Sequence, residues 1–572
     1  MRQMKGISAS PGLASGPVFV VAVAVAHTER RAAGSVAQEW LRLEEATEKV
    51  TARLAAMQAR AASRVGVSEA EIFEAQAMML ADPELLANAR RRLESRAGVT
   101  AEEAWQAAVD EFAEQVEALP DEYLSARAAD LRDVGLRVLR HLQGVRDEAF
   151  ATLLAPSIIL ARDLSPADTV ELAPGMALAF CTAEGGPTSH TAILAKAMGI
   201  PAVVGLGGSL LGIPPGSEAL VDGGGGLITI APDETTRQAF TALRRQHSVQ
   251  TDEERRQANQ PAITVDGHAV EVVANIGRVD EAGPAIQLGA EGVGLLRTEF
   301  LFLDRSDAPT EDEQAGAYRS ILEQMGSRPV VVRTLDVGGD KPLTYLPMDP
   351  EANPFLGWRA IRLCLDRPDF FKIQLRALWR ASPAGNLRIM FPMIATLDEV
   401  RRARALLEEA RGEVAAHNPA PGPVQVGIMV EIPSVVVMAE AFAQVVDFFS
   451  IGTNDLTQYT FAAERTNPHV AYLADPCHPA ILRQVRQVID AGHRAGIWVG
   501  VCGELAGDAD AIPVLLGLGL DEFSMAPASI PHAKAVLRTW GVDAAREVAR
   551  AALQLDSAEA VRGYVRAHPP GQ

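Results

Sequence analysis

The chain has 572 residues, of which 48% are apolar and 22% charged, so we expect two to four globular domains with apolar cores. Its formal net charge of −20 argues against nucleic acid as a partner, because phosphate backbones attract proteins with an excess of lysine and arginine. The four cysteines lie far apart without metal-ligand spacing, which argues against a disulfide framework or zinc site and favours a reducing, cytoplasmic setting.

Residues 1–230 combine strand-like and helix-like segments. The apolar run Val18–Ala26 is too short to cross a bilayer, so we expect a buried strand and no membrane insertion. Glycine and proline become scarce in residues 27–149, and apolar residues recur there at helical spacing. Short apolar runs return in residues 150–230. We therefore predict one α/β domain from residues 1–26 and 150–230, with residues 27–149 inserted as an all-helical domain.

The rest of the chain begins with a polar stretch, residues 231–260, whose composition predicts a linker helix. Residues 261–572 then alternate short apolar runs with amphipathic segments, which predicts a C-terminal (β/α)8 TIM barrel. An open doubly wound sheet is the alternative, and it is disfavoured because no glycine-rich dinucleotide turn follows the first strand. The eight predicted strands are Val270–Ala274, Gly292–Leu296, Val330–Leu335, Leu387–Met393, Gln425–Val430, Phe448–Ile451, Ile497–Val501 and Glu522–Met525.

The α/β domain contains a candidate nucleophile, His190. Thr188 or Ser189 can cap a helix that begins at this histidine. The free N–H groups and positive dipole end of such a helix favour a nearby anion, and they disfavour the imidazolium, which cannot attack phosphorus. Taken alone, a polar histidine in an exposed first turn would be the more ordinary interpretation.

The surrounding residues change that balance. Residues 185–192 read Gly-Gly-Pro-Thr-Ser-His-Thr-Ala. This segment resembles the phosphohistidine signature shared by enzyme I of the phosphoenolpyruvate:sugar phosphotransferase system and the pyruvate dikinases. The resemblance implies an α/β domain that swivels, a phosphoryl group carried on His190, and a threonine, Thr169, that orients the histidine ring.

Polar residues follow the predicted barrel strands at their carboxyl ends, where TIM barrels keep their active sites. Each has an ordinary interpretation by itself: a rim ion pair for an arginine, a buried hydrogen-bonded acid, or a small core residue for the cysteine. Together, the arginines suit a ligand with phosphate and carboxylate groups, and two carboxylates suit Mg²⁺. The set is Arg297, Arg333, Glu431, Asn454, Asp455, Arg465 and Cys502.

The segment Asp447–Tyr459, continuing to Arg465, resembles the second signature of the enzyme I family, and the resemblance runs from Gly6 through the eighth barrel strand. It implies that Glu431 and Asp455 bind Mg²⁺ and that Cys502 protonates the enolate carbon of the departing pyruvate. It also implies a homodimer formed through the barrel. The implied contacts to phosphoenolpyruvate come from Arg297, Arg333, Asn454, Asp455, Arg465 and Lys341.

The segment Phe73–Leu85 resembles the part of enzyme I that docks the carrier protein HPr. An acidic docking surface suits a small basic partner, although a solvated helix face explains some of the acidic residues. The candidate contact residues are Glu69, Glu71, Glu74, Met78, Asp82 and Glu84.

Three other functions fit parts of the sequence. A pyruvate dikinase needs a large ATP-binding domain, but there is no G-x-x-x-x-G-K-[ST] loop, and the glycine run 223–226 predicts a hairpin turn instead. A phosphoenolpyruvate sensor without turnover would need neither His190 nor Cys502. A barrel lyase would leave the histidine segment unexplained. We therefore expect the phosphoryl group of phosphoenolpyruvate to pass to His190 and then to a histidine of an HPr-like carrier, releasing pyruvate as the first step of sugar uptake.

Overall fold

The computed structural model describes the chain apart from residues 22–32, 65–75, 96–97, 118–121, 145–149, 151–152, 165–171, 174, 187–188, 304, 340–342, 344, 347, 350, 416–423, 465–466, 468 and 571–572. The chain divides into two compact units, Met1–Gln246 and His247–Gln572. The division falls inside the predicted linker.

An eight-stranded mixed sheet forms the centre of the first unit, in the order β1-β8-β7-β3-β4-β5-β6-β2. The four strands β3 to β6 pair in parallel, whereas the outer pairs are antiparallel. The strands are β1 (Arg2–Lys5), β2 (Ile7–Ser10), β3 (Leu13–Val20), β4 (Ser157–Ala161), β5 (Ala177–Thr182), β6 (Ala202–Val204), β7 (Glu218–Asp222) and β8 (Leu227–Ile230).

The two ends of this unit's sequence therefore share one sheet, as the predicted α/β fold requires. The described part of the predicted strand Val18–Ala26 is the end of β3, which begins earlier, at Leu13. The predicted turn at residues 223–226 joins the antiparallel strands β7 and β8. Gly226 has φ +66°, and a Cβ there would lie 2.9 Å from the Gly6 carbonyl oxygen, so glycine fits this close approach.

The described residues between β3 and β4 include four long helices: α1 (Val36–Arg64), α2 (Pro83–Ser95), α3 (Ala101–Glu117) and α4 (Glu122–Leu142). They enclose a separate apolar core that includes Leu43, Leu85 and Trp105. The Trp105 ring N–H donates to the Gly135 carbonyl oxygen at 2.9 Å. This block confirms the predicted helical insertion in the α/β fold.

The described residues of the unit include two further helices: α5 (His190–Met198), and α6 (Glu234–Gln257), in which the division between the units falls. No residue of α6 is buried, which agrees with the few large apolar residues in the predicted linker. The predicted domain boundaries at residues 26, 149, 230 and 260 stay predictions.

The second unit is a closed barrel of eight parallel strands, which confirms the predicted TIM-barrel fold. Each strand overlaps its predicted range, because strands buried on both faces appear in the sequence as continuous apolar runs. They are β9 (Glu271–Ile276), β10 (Val293–Arg297), β11 (Pro329–Arg333), β12 (Asn386–Phe391), β13 (Gln425–Val430), β14 (Phe448–Ile451), β15 (Trp498–Val501) and β16 (Glu522–Met525).

Helices surround the barrel strands and bury their apolar faces against them. In the part of the chain that the structure describes, no helix is both long and apolar enough to span a membrane. The helices are α7 (Ala282–Gln287), α8 (Glu311–Met325), α9 (Ile361–Asp366), α10 (Pro368–Ala381), α11 (Leu397–Ala415), α12 (Pro433–Val437), α13 (Ala439–Ala443), α14 (Thr453–Phe461), α15 (Pro479–Ala495), α16 (Ile512–Leu518), α17 (Ile530–Leu537), α18 (Val542–Ala552) and α19 (Ala558–Ala567).

Candidate active site

Two arginines end neighbouring strands at the carboxyl end of the barrel. Arg297 and Arg333 are the last residues of β10 and β11 and face each other in register. Arg297 is exposed, whereas Arg333 is buried between Glu299, at 2.5 Å, and Asp336, at 3.0 Å. Burial opposes the charge of Arg333, but these carboxylates outweigh it and raise the pKa of the guanidinium. Arg333 therefore stays charged beneath the barrel mouth.

A third arginine, Arg359, reaches the same place from the segment after β11. Its guanidinium donates to both Asp336 oxygens, at 3.0 and 3.1 Å, so one carboxylate joins two buried arginines. Arg359 also lies 3.6 Å from Asp455. Ala360 has a positive φ of +51°, which is uncommon without glycine and is found most often at functional sites.

The hydroxyl group of Tyr459, on α14, adds an uncharged contact to Arg359. Arg359 donates to the Tyr459 hydroxyl at 3.4 Å, and this hydroxyl donates to the Phe355 carbonyl oxygen at 2.6 Å. Burial raises the pKa of Tyr459 to about 12, so its hydroxyl keeps the proton it donates. Tyr459 thus ties the loop that carries Arg359 to the helix that carries Asp455.

Two carboxylates, Glu431 and Asp455, follow β13 and β14. One oxygen of Glu431, Oε1, accepts the Met393 N–H at 2.6 Å, and Met393 itself has φ +53°. The other oxygen, Oε2, is buried without a hydrogen-bond partner among the described residues. Burial, together with the negative charges of Asp455 and Asp336, raises the pKa of Glu431 to about 8.

This pair fits a divalent cation. An orphaned buried carboxylate oxygen costs free energy unless something pairs with it, and a bound cation would pair with it and reverse the pKa rise. Mg²⁺ takes few protein oxygens and keeps other ligands from water or substrate. Two carboxylates that leave the remaining positions to water or substrate oxygens match that requirement.

The thiol of Cys502 lies directly after β15 and is 3% exposed. The thiol contacts the Ile451 carbonyl oxygen at 3.7 Å. The backbone carbonyl oxygen of Cys502 accepts from the Asn275 side-chain amide at 3.0 Å. Burial raises the pKa of the thiol to about 12. A thiol in this state holds its proton at neutral pH and can act as an acid. Asn454, on α14, accepts the Glu504 N–H at 3.3 Å and so ties α14 to the segment after Cys502.

The first unit places His190 as predicted, at the first residue of α5. The Ser189 hydroxyl caps this helix by accepting the Ala192 N–H at 3.4 Å, and Gly199 ends it in a left-handed conformation with φ +64°. The neighbouring Thr191 is buried and donates to Asp163 at 2.9 Å, which fastens the start of α5 to the segment after β4. Thr188 and Thr169 lie outside the described residues.

The predicted docking surface is described only in part, since Glu69, Glu71 and Glu74 lie outside the described residues. Asp82 caps α2 by accepting the Glu84 and Leu85 N–H groups at 2.7 and 3.2 Å. The exposed fraction of Met78 is 64%, whereas the neighbouring Leu80 is buried. An exposed apolar side chain in the helical residues 76–80 and acidic groups at the start of α2 therefore lie on either side of one turn.

Comparison with known proteins matches three family models in chain order. They are "PEP-utilising enzyme, N-terminal" over residues 5–127, "PEP-utilising enzyme, mobile domain" over residues 154–226 and "PEP-utilising enzyme, PEP-binding domain" over residues 251–542. Two similar proteins are named phosphoenolpyruvate-protein phosphotransferase. The one from Geobacillus stearothermophilus is 46% identical over 99% of this chain and 98% of its own length. The one from Bacillus subtilis (strain 168) is 44% identical over 99% of each chain. The chain belongs to this family.

A third similar protein is longer than the chain. The multiphosphoryl transfer protein of Rhodobacter capsulatus is 46% identical over 98% of this chain and 67% of its own length. Family membership confirms the predicted resemblance and the class of enzyme, a phosphotransferase. The roles of single residues stay predictions.

Of the predicted barrel residues, the structure brings Arg333, Glu431, Asp455 and Cys502 to one end of the barrel, with Arg297 and Asn454 beside them. Lys341 and Arg465 lie outside the described residues. The electrostatic contact between Glu431 and Asp455 and the shared partner Asp336 make this a connected site rather than scattered polar residues.

Sequence reasoning missed the buried residues Glu299, Asp336 and Arg359. Arg359 comes many residues after its strand, so strand-end placement could not find it. The glycine at position 338 is the sequence feature that could have indicated this return. Its φ is +103°, and a Cβ there would lie 2.7 Å from the Arg359 Cβ. Glycine at this position lets the loop fold back closely enough to return Arg359 to the site.

Proposed function

We propose that the protein transfers the phosphoryl group of phosphoenolpyruvate to its own His190 and then to a histidine of a small carrier protein, releasing pyruvate. The observation that carries the proposal is the connected group of Arg333, Arg359, Glu431, Asp455 and Cys502 at one end of the barrel. Its arginines suit the phosphate and carboxylate of the donor, and its thiol suits the enolate that forms. The name of the relatives, phosphoenolpyruvate-protein phosphotransferase, agrees with a protein acceptor.

The phosphoryl group moves by attack of a neutral histidine nitrogen on phosphorus, with the enolate oxygen as the leaving group. The buried arginines hold the phosphate and carboxylate so that the attacking and leaving atoms can align. Cys502 then gives its proton to the enolate carbon, which forms the methyl group of pyruvate and leaves a thiolate that solvent reprotonates. Arg297 and Asn454, at the barrel end, and Lys341 and Arg465 complete the proposed substrate contacts.

Glu431 and Asp455 are the proposed ligands of a divalent cation, and Mg²⁺ is the proposed ion. When bound, it would neutralise charge on the phosphate and on the developing enolate oxygen. The unpartnered Glu431 Oε2 supports this assignment, since it is the buried oxygen in that pair that lacks a protein donor among the described residues.

The proposed acceptor is an HPr-like carrier that docks on the helical insertion around Met78, Asp82 and Glu84. The exposed Met78 beside acidic groups suits a partner with an apolar patch and basic residues. Since one histidine must serve both donor and acceptor, the α/β domain is proposed to swivel, and Thr169 to orient the His190 ring. A homodimer through the barrel and a role at the start of sugar uptake follow from the family resemblance.

The proposal is tested by counting pyruvate. The full chain is incubated with phosphoenolpyruvate and Mg²⁺, first alone and then with an HPr protein. We expect about one pyruvate per chain without the carrier and continuous release with it, with the phosphoryl group recovered on the carrier. Continuous pyruvate release without any carrier would identify a hydrolase or lyase, and no release would exclude phosphoenolpyruvate as the donor.

A further inference from the structure

Arg333 is held by a carboxylate that none of the assignments above uses, Glu299. This residue lies two positions after the end of β10 and is 1% exposed. Its Oε1 accepts from Arg333 Nη2 at 2.5 Å, while Asp336 takes the other terminal nitrogen, Nη1, at 3.0 Å. The two terminal nitrogens of the guanidinium are therefore held by carboxylates that follow two neighbouring strands, β10 and β11.

The same short segment also fixes the backbone of Arg333. Thr298, next to Glu299, is fully buried, and its hydroxyl donates to the Arg333 carbonyl oxygen at 2.9 Å. Gln374 on α10 donates to the Thr298 hydroxyl at 3.2 Å and accepts the Leu335 N–H at 3.0 Å. Hydrogen bonds from Thr298 and to Gln374 thus fix the backbone at the end of β11, and Glu299 adds a contact to the Arg333 side chain.

We propose that Glu299 is a positioning residue that orients the Arg333 guanidinium toward the phosphoenolpyruvate site. The inference rests on the proposed function, because it takes Arg333 as a substrate contact. A guanidinium has five N–H donors in a planar fork, so fixing one edge decides where the other edge points. Without Glu299, Arg333 could turn toward Asp336 alone, and its donors would no longer be directed at the ligand.

Glu299 has a competing role as a simple counter-charge. A carboxylate beside Arg333 weakens the attraction of that arginine for an anion, so a pure counter-charge would oppose substrate binding. Position and charge can be separated with two conservative variants. Glu299→Asp keeps the charge but withdraws the carboxylate by one carbon–carbon bond, about 1.5 Å. Glu299→Gln keeps the reach and an acceptor oxygen but removes the charge.

The experiment measures the phosphoenolpyruvate concentration that gives half-maximal phosphorylation of the full chain at saturating Mg²⁺. We expect Glu299→Asp to raise this concentration about tenfold, because a charge-assisted hydrogen bond is lost, and Glu299→Gln to change it by less than about threefold. The matched control is Glu522→Asp, which shortens another glutamate of 1% exposure in the same barrel, at the amino end of β16. The control should leave the half-saturating concentration unchanged.

Thermal unfolding of each variant separates positioning from stability. A purely structural role would lower Tm in Glu299→Asp without changing the half-saturating concentration, and that result would overturn the proposal. If Glu299→Gln lowers the half-saturating phosphoenolpyruvate concentration while Glu299→Asp keeps the wild-type value, Glu299 acts as a counter-charge and the proposal is overturned. If the wild-type chain takes up no phosphoryl group, the proposed function is refuted. If all variants are phosphorylated and share one half-saturating phosphoenolpyruvate concentration, only the positioning role of Glu299 is refuted.

Discussion

The two ends of the barrel each contain an arginine beside a buried glutamate, but Arg333 at the carboxyl end is buried, whereas Arg388 at the amino end is partly buried. At the carboxyl end, Arg333 contacts Glu299 at 2.5 Å and belongs to a continuous network. At the amino end, Arg388 lies 3.6 Å from Glu522, beyond hydrogen-bond distance, and stacks over the Trp498 ring at 4.6 Å. The same residue types therefore form an ionic network at the carboxyl end and a cation–π contact at the amino end.

Charge state explains the difference. Arg333 faces carboxylates that hold it in the charged form. Burial raises the pKa of Glu522 to about 8, with Arg388 opposing the rise, so Glu522 is mostly protonated at neutral pH. A TIM barrel keeps its chemistry at the carboxyl end and its stability determinants at the amino end, and the two arginines follow that division.

The largest expected effect comes from removing the proposed proton donor at the carboxyl end. Cys502→Ala should slow pyruvate formation by roughly a hundredfold to ten-thousandfold, because general acid catalysis contributes that much. The rate is measured by coupled detection of pyruvate in single-turnover mixing. Wild-type speed in this variant would remove Cys502 from the mechanism and weaken the contrast between the two ends.

Replacing each arginine by methionine tests the contrast in stability. Arg333→Met removes an ion-pair partner from two buried carboxylates, of which Asp336 keeps Arg359, and should cost about 3–5 kcal/mol of unfolding free energy. Arg388→Met leaves a protonated Glu522 and mainly loses the contact with Trp498, so it should cost about 1 kcal/mol. Calorimetry of the barrel transition at pH 7 measures both. Equal losses would show that the ends are energetically alike.

Stability should depend on pH through Glu522. Its folded-state pKa lies above the ordinary value, so its stabilising contribution is present below the ordinary pKa and is lost as pH rises through about 8. Glu522→Gln cannot ionise and should lose less stability than the wild type between pH 6 and 9, by on the order of 2 kcal/mol. Parallel stability curves for the two proteins would show that Glu522 is already ionised in the folded state.

A smaller effect is expected at Arg359. Arg359→Lys keeps one positive charge but has one nitrogen in place of the three that contact Asp336 and Tyr459, so the half-saturating phosphoenolpyruvate concentration should rise about tenfold. The control is Lys372→Arg, the opposite substitution, on the outer helix α10 and away from the site; it should leave the half-saturating concentration unchanged. An unchanged value for Arg359→Lys would place Arg359 outside substrate binding.

Most of the fold was predictable from the sequence, because buried parallel strands and amphipathic helices leave different periodicities. Residues at strand ends, such as Arg333 and Cys502, were predictable for the same reason: the fold class fixes which end of a strand carries chemistry. Arg359 was not, since a long loop returns it to the site. Glu299 was not predicted either, because an acidic residue after a strand has no sequence pattern that reveals its partner.

The central claim is that His190 carries the phosphoryl group. Intact mass measurement after incubation with phosphoenolpyruvate and Mg²⁺ tests it, with His190→Ala as the variant and His493→Ala as the control. His493 pairs with Asp521 at 2.8 Å, far along the chain from the predicted signature. We expect the wild type and His493→Ala to gain one phosphoryl mass and His190→Ala to gain none. An unchanged wild-type mass, or a phosphorylated His190→Ala, would contradict the claim.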